Sequence, residues 1–298
     1  MRFIAGDVIL GATTVRQITS SGVGPGAGIM TQYGSTDVDP KAFFSHMFEP
    51  VVNFTTEDIV GYLTGVSATA GLLIAASTAV TVPFRKGSSG GTFQSNGNHF
   101  TISGNEGALV IPESISARQG GQNITLTSSV HYLSDDGESP LSESAAANYA
   151  SETANAPYGF GGGSLTYSGP TVITPDMIAW QVNFGITVEK QWEGSGKAPK
   201  EIYITSRAPS IDLTFRSNSN LTSLTSGVKD LTAVNVYGRR RTDLGGYVAD
   251  DQSSHLSLSF GDAIGSLQQV QGSGRGASEV TYRVQGKALT ASVTTALA

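Results

Sequence analysis

The stretch VNFGITVEKQWEGSGKAPKEIYITSRAPSIDLTFR, residues 182–216, sets the fold class. Residues 182–192 and 201–207 are rich in Val, Ile, Thr and Tyr and alternate apolar with polar, as strands with two unlike faces do. Between them, Glu193 to Pro199 is a run of turn formers, so two long arms meeting at a hairpin tip are expected. Pro209 interrupts the chain, and SIDLTFR then resumes the alternation as a third strand. Segments elsewhere read the same way: ITLTSSVHYL, LTAVNVYGRR, HLSLSF, EVTYRVQG and ALTASVTTA. The expected fold is therefore all-β, with at most one or two short flanking helices.

Three segments are candidates for those helices. Residues 140–153, PLSESAAANYASET, carry Ser139 as a cap, Pro140 at the first position and an alanine run. Residues 40–48 are a shorter candidate. Residues 56–63 are the third, with Thr55 or Thr56 as cap and Glu57 and Asp58 in the first turn. Residues 59–84 lack charge between Asp58 and Arg85 and are long enough to span a bilayer. Their Gly, Ser and Thr content and Pro83 favour a buried strand pair instead. The start, MRFIAGDVILG, is a poor secretory signal, because Gly6 and Asp7 interrupt its apolar run.

Composition narrows the function classes. The chain has 298 residues, 37 Gly, no Cys and only 14% charged residues, against about 25% in an average soluble domain. Without cysteine, a disulfide scaffold, a thiolate zinc site and a cysteine nucleophile are excluded. With 18 Lys and Arg against 24 acids, the balance is opposite to that of a basic nucleic-acid binder. The sequons at Asn53, Asn123 and Asn220 read as chance matches.

Internal similarity suggests two copies of one unit. Val52-Asn53-Phe54 recurs as Val182-Asn183-Phe184, Phe84-Arg85 as Phe215-Arg216, and Gly90-Gly91-Thr92-Phe93 is echoed by Gly245-Gly246-Tyr247-Val248. His99 and His255 then each open an alternating strand, and the segment from Ser114 resembles the one from Ser266. The expected organisation is a Gly-rich arm over 1–40, a β domain over 41–156 and a second over 157–298. Each domain is a small sandwich or barrel, and the second has an insertion near 217–244.

No constellation of residues points to catalysis, so no enzyme and no cofactor are expected. The four histidines lack metal-ligand spacing. His99 and His255 read as strand-edge residues at matching positions, with a paired metal site as the alternative. The Gly-rich loops do not follow a strand and open a helix, as a phosphate cradle must. Arg239-Arg240-Arg241 is the one dense basic cluster, read equally as a contact for a neighbour's carboxylates or as a solvated hairpin end. At the tip of the long hairpin, Trp192 reads either as an apolar anchor between subunits or as a cap on its own core. Glu193, Lys197 and Lys200 complete the candidate assembly contacts there.

The layout of residues 175–298, and more faintly of 50–135, resembles the tube domain of tailed-bacteriophage major tail proteins. The long hairpin 182–207, the Pro-containing pair around Pro209 and the later strands from Ser266 carry the resemblance. It implies a structural virion protein of the tail, assembled in the host cytoplasm, with no membrane association. Its partners would be copies of itself and other tail proteins. It would form stacked rings around a channel through which DNA passes without sequence-specific binding. Two domains per chain would make those rings trimers with pseudo-sixfold symmetry. Other readings are a tail terminator, a baseplate or capsid decoration protein, or an adhesin or carbohydrate-binding module.

Overall fold

The computed structural model describes residues 3–24, 27–33, 40–66, 75–88, 92–149, 155–167, 172–173, 176–194, 196–216, 227–242, 245–271 and 279–297. It is nearly all β, as expected, with one helix among the described residues. The first series of elements is β1 (Phe3–Ala5), β2 (Val8–Leu10), β3 (Thr13–Val15), β4 (Ile18–Gly24), β5 (Ala27–Tyr33), β6 (Pro40–Phe48), β7 (Val51–Thr56), α1 (Ile59–Gly65), β8 (Ala75–Thr78), β9 (Val80–Lys86), β10 (His99–Gly104), β11 (Gly107–Arg118), β12 (Thr125–Leu133) and β13 (Leu141–Ala147). The second is β14 (Tyr158–Tyr167), β15 (Val172–Ile173), β16 (Met177–Asn183), β17 (Ile186–Gln191), β18 (Glu201–Arg207), β19 (Ser210–Arg216), β20 (Val228–Arg240), β21 (His255–Phe260), β22 (Ala263–Gln271), β23 (Glu279–Gly286) and β24 (Leu289–Thr295).

All pairings are antiparallel, and one succession of them occurs twice. In the first series β11, β12, β7 and β4 lie side by side; in the second β22, β23, β19 and β16 do. The irregularities match too. The bulge between Ile18 and Ser20 on β4 has its like between Met177 and Ala179 on β16. That between Pro112 and Ser114 on β11 recurs between Leu267 and Gln269 on β22. β9 lies between β10 and the short strands β1 and β2, as β20 lies between β21 and β14. The hairpins β5–β6 and β17–β18 leave from matching points, after β4 and after β16.

This register differs from the one the tripeptides suggest. Val52 and Asn53 sit in β7, between β4 and β12, whereas Val182 and Asn183 sit in β16, between β11 and β19. The match through the two histidines does agree with the pairing. His99 and His255 are both buried, and each Nδ1 accepts a backbone N–H, from Lys86 at 3.2 Å and from Arg240 at 3.1 Å. Nε2 of His255 is 2.9 Å from the Ala249 carbonyl, so the ring donates there as the Nε2–H tautomer. Both histidines thus tie down backbone. No group of three metal-ligating side chains occurs among the described residues. His255→Ala strands a buried N–H and a carbonyl and is expected to cost about 2 kcal/mol or more. Urea unfolding checks this; a loss under about 0.5 kcal/mol would mean the ring is not structural.

Several expectations are corrected. Residues 140–153 are not a helix: Leu141–Ala147 form β13, an exposed edge strand hydrogen-bonded to β10. Cross-strand pairing outweighs the helix propensity of its alanines. The rest of that candidate, 150–153, lies outside the described residues. Residues 40–48 are also not a helix but the strand β6, with Pro40 at its first position, where a missing N–H is tolerated. The third helix is present, shifted to Ile59–Gly65. Asp58 caps it, accepting the Gly61 N–H at 2.9 Å, in place of Thr55 or Thr56. Of the run 59–84, where a buried strand pair is expected, α1 occupies the beginning and β8 and β9 the end, and 67–74 lie outside the described residues. No helix among the described residues is long and apolar enough to cross a membrane.

Residues 3–24 are not an extended arm. β2 and β3 bury Val8, Leu10 and Val15 in the main core, beside Val80 and Val82 of β9. The segment expected as an insertion near 217–244 contains β20, which bonds β14 on one side and β21 and β22 on the other. It holds the place in the second series that β8 and β9 hold in the first. Residues 217–226 and 243–244 lie outside the described residues.

The two series meet along one seam. β16 continues the sheet of the second series onto β11 of the first, which makes a single 14-stranded sheet. One apolar core runs through both, from Val8 to Leu289, with Trp180, Tyr158 and Phe215 among its largest fully buried side chains.

Candidate assembly interface

The seam is a strand-addition joint. The far half of β11 pairs with β16 in the register Ser114 with Asn183, Ile115 with Val182 and Ser116 with Gln181. Ile115 and Val182 are fully buried there. The hairpin β17–β18 then lies across the near half of β11. Its Ile186, Val188, Ile202 and Ile204 pack on Leu109 and Ile111. Residues 107–112 are consequently buried on both faces, which a strand at the rim of a sandwich is not without a cover.

Polar contacts lock the hairpin down. Lys190 of β17 pairs with Glu49 at 2.7 Å, both side chains more than four-fifths buried. At the tip, Lys197 and Ala198 donate backbone N–H groups to the Gly137 carbonyl at 2.7 and 2.8 Å, Phe48 donates to Lys197, and Ser134 to Pro199. Gly137, at φ +71°, lies so close to Gly196 that a Cβ would meet its Cα at 2.9 Å. Beside this seat stands His131. Burial and, next, the charge of Lys190 push its pKa down to about 4, against an upward pull from Glu49.

The candidate residues from sequence fall into two places. Lys197 pairs with Glu138 of the first series at 3.3 Å, and Lys200 pairs with Glu193 across the hairpin. That carboxylate raises the Lys200 pKa above the usual ammonium value. Trp192 belongs to neither core cluster and is 40% exposed, so it does not cap its own core. The arginine triplet ends β20, away from the tip. Arg239 pairs with Asp250, and its guanidinium and that of Arg241 lie 5.2 and 5.1 Å from the Tyr247 ring centre. Arg241 also donates to the Gly121 carbonyl, and Arg240 is exposed. The triplet mainly braces its own strand end.

Sequence reasoning missed a different set: Ile264 and Val270 of β22, 52% and 56% exposed. In the string AIGSLQQVQ they look like ordinary alternating strand residues. Their oddity emerges only when β22 is set beside β11.

No protein-family model matches the chain, and no curated protein matches it in sequence.

Proposed function

We propose that the chain is a structural, self-assembling subunit, and specifically a tail tube protein of a tailed bacteriophage. Copies of it would form stacked rings around a DNA-conducting channel. The observation that carries this reading is the seam: two like successions of strands joined head to tail by strand addition and a seated hairpin. We read those successions as two copies of one domain, 3–147 and 158–295. A head-to-tail joint that repeats with a closing rotation makes a ring, and two wedges per chain make six from three chains. The scarcity of charge suits a protein that buries surface against copies of itself. The net charge of −6 suits a wall past which a polyanion slides. The setting would be the virion tail, with other tail proteins as further partners and no catalysis or cofactor.

Electron microscopy of the concentrated protein, with native mass measurement, tests the reading. Stacked rings with an open centre and the mass of three chains per ring are expected. A protein that stays monomeric at every concentration would overturn it.

A further inference from the structure

The joint made once inside the chain leaves both of its halves available a second time. β4, the counterpart of β16, ends the 14-stranded sheet, so one of its edges has no strand beside it among the described residues. β22, the counterpart of β11, pairs β20 through Ala263–Ser266, and the outer side of 267–271 has no strand beside it among the described residues, which do not include 217–226. Exposed edges are ordinarily blunted with charge, proline or bulges. β4 and β22 each carry one bulge, but neither ITSSGVG (β4) nor AIGSLQQVQ (β22) contains a charge or a proline.

The burial contrast points the same way. By the matching bulges, Val270 stands where Ile115 stands, and Val23 where Val182 stands. Ile115 and Val182 are fully buried at the seam, whereas Val270 is 56% exposed. Likewise Leu109, 6% exposed beneath the β17–β18 hairpin, corresponds to Ile264, 52% exposed. Ile264 lines an open groove of about 530 Å³ with Pro209, Leu231 and Ala263 and with the charged Asp230, Asp262 and Lys287. This groove holds the position in the second series at which β17–β18 is seated in the first. Pro209 even matches Pro50 there. The counterpart of β17–β18 is the β5–β6 hairpin, whose register places Ile29 and Phe43 at the positions of Val188 and Ile202.

We infer that β4 and the β5–β6 hairpin of one chain dock on β22 and the Ile264 groove of a second copy, repeating the internal seam. The register transfers as Gly24 opposite Gln269, Val23 opposite Val270 and Gly22 opposite Gln271. Both partners are the same chain, and the two surfaces are different, so the contact is head to tail and continues from copy to copy. The inference deepens the assembly reading and rests on it only for the number of copies that close.

The chain has no cysteine, so paired substitutions report cleanly. A Cβ at Gly22 meets nothing within 4 Å. Gly22→Cys and Gln271→Cys in one chain, oxidised under native conditions, should give chain-to-chain disulfides whose ladder stops at the closed ring. Ser116→Cys with Gln181→Cys, the internal equivalent, should cross-link within the chain and stay at monomer mass. Val270→Asp should leave the monomer's melting unchanged, because the side chain is already exposed. It should weaken association at least tenfold. If Gly22→Cys/Gln271→Cys gives no chain-to-chain product while rings still assemble, the inference falls and the tube reading survives. An open-ended ladder with no rings supports the inference and overturns the tube. Monomers without cross-links at high concentration overturn both.

Discussion

Trp180→Ala is expected to remove about 3–5 kcal/mol of stability, while Trp192→Ala costs under about 1 kcal/mol. Trp180 is 1% exposed and sits on β16 at the seam, opposite Leu213 of β19 and Ala117 of β11. Its removal opens a cavity where the two series share one core. It also takes away the Nε1–H that donates to the Tyr237 carbonyl at 3.3 Å. Folded domains hold only about 5–15 kcal/mol in total, so the loss is a large fraction. Trp192, at the hairpin tip and outside the core, lacks both terms. These are the only two tryptophans, so each variant leaves one fluorescence reporter. Urea unfolding followed by circular dichroism gives the stability, and emission shows which indole was buried. Equal losses from the two substitutions would mean that the seam is not part of the core.

The fold class was legible because the long hairpin 186–207 alternates on both arms around a glycine-rich tip. The helices were misjudged where propensity and pairing disagree. β13 is exposed along nearly its whole length, so it has no apolar period to betray a strand, and its alanines speak for a helix. β6 has no clear alternation of its own, and it is its pairing with β5, from Tyr33 opposite Pro40 to Ala27 opposite Phe48, that makes it a strand. The internal similarity is legible through His99 and His255, whose imidazoles accept a backbone N–H in the same way. Val-Asn-Phe gives the wrong register, because matching strand positions share apolar character rather than identity. Val52 corresponds to Ile211 and Phe54 to Leu213 once the pairing is followed. The open contact was illegible for a related reason. Val270 becomes unusual only against Ile115, and that comparison needs the bulges at Pro112 and Leu267 to fix it.

Acid should loosen the internal seat before it disturbs the rest of the core. His131 has a folded pKa of about 4, set first by burial and then by Lys190. In the unfolded chain it titrates near 6.5. Between those values the unfolded state binds more protons, so stability rises with pH across the window. His131's contribution is complete above about pH 6.5 and is lost as pH falls through about 4, up to about 3 kcal/mol in all. Native carboxylates also respond to acid, so the measured quantity is the difference between the wild type and His131→Gln. Urea midpoints at pH 7.5, 5.5 and 4 should fall more steeply for the wild type. Parallel curves would remove His131 from the account. The neighbours supply a sharper sign test by nuclear magnetic resonance titration of the imidazole. Lys190→Met takes away a repelling cation and should raise the His131 pKa, whereas Glu49→Gln takes away an attracting anion and should lower it further. Burial alone predicts no such opposed shifts.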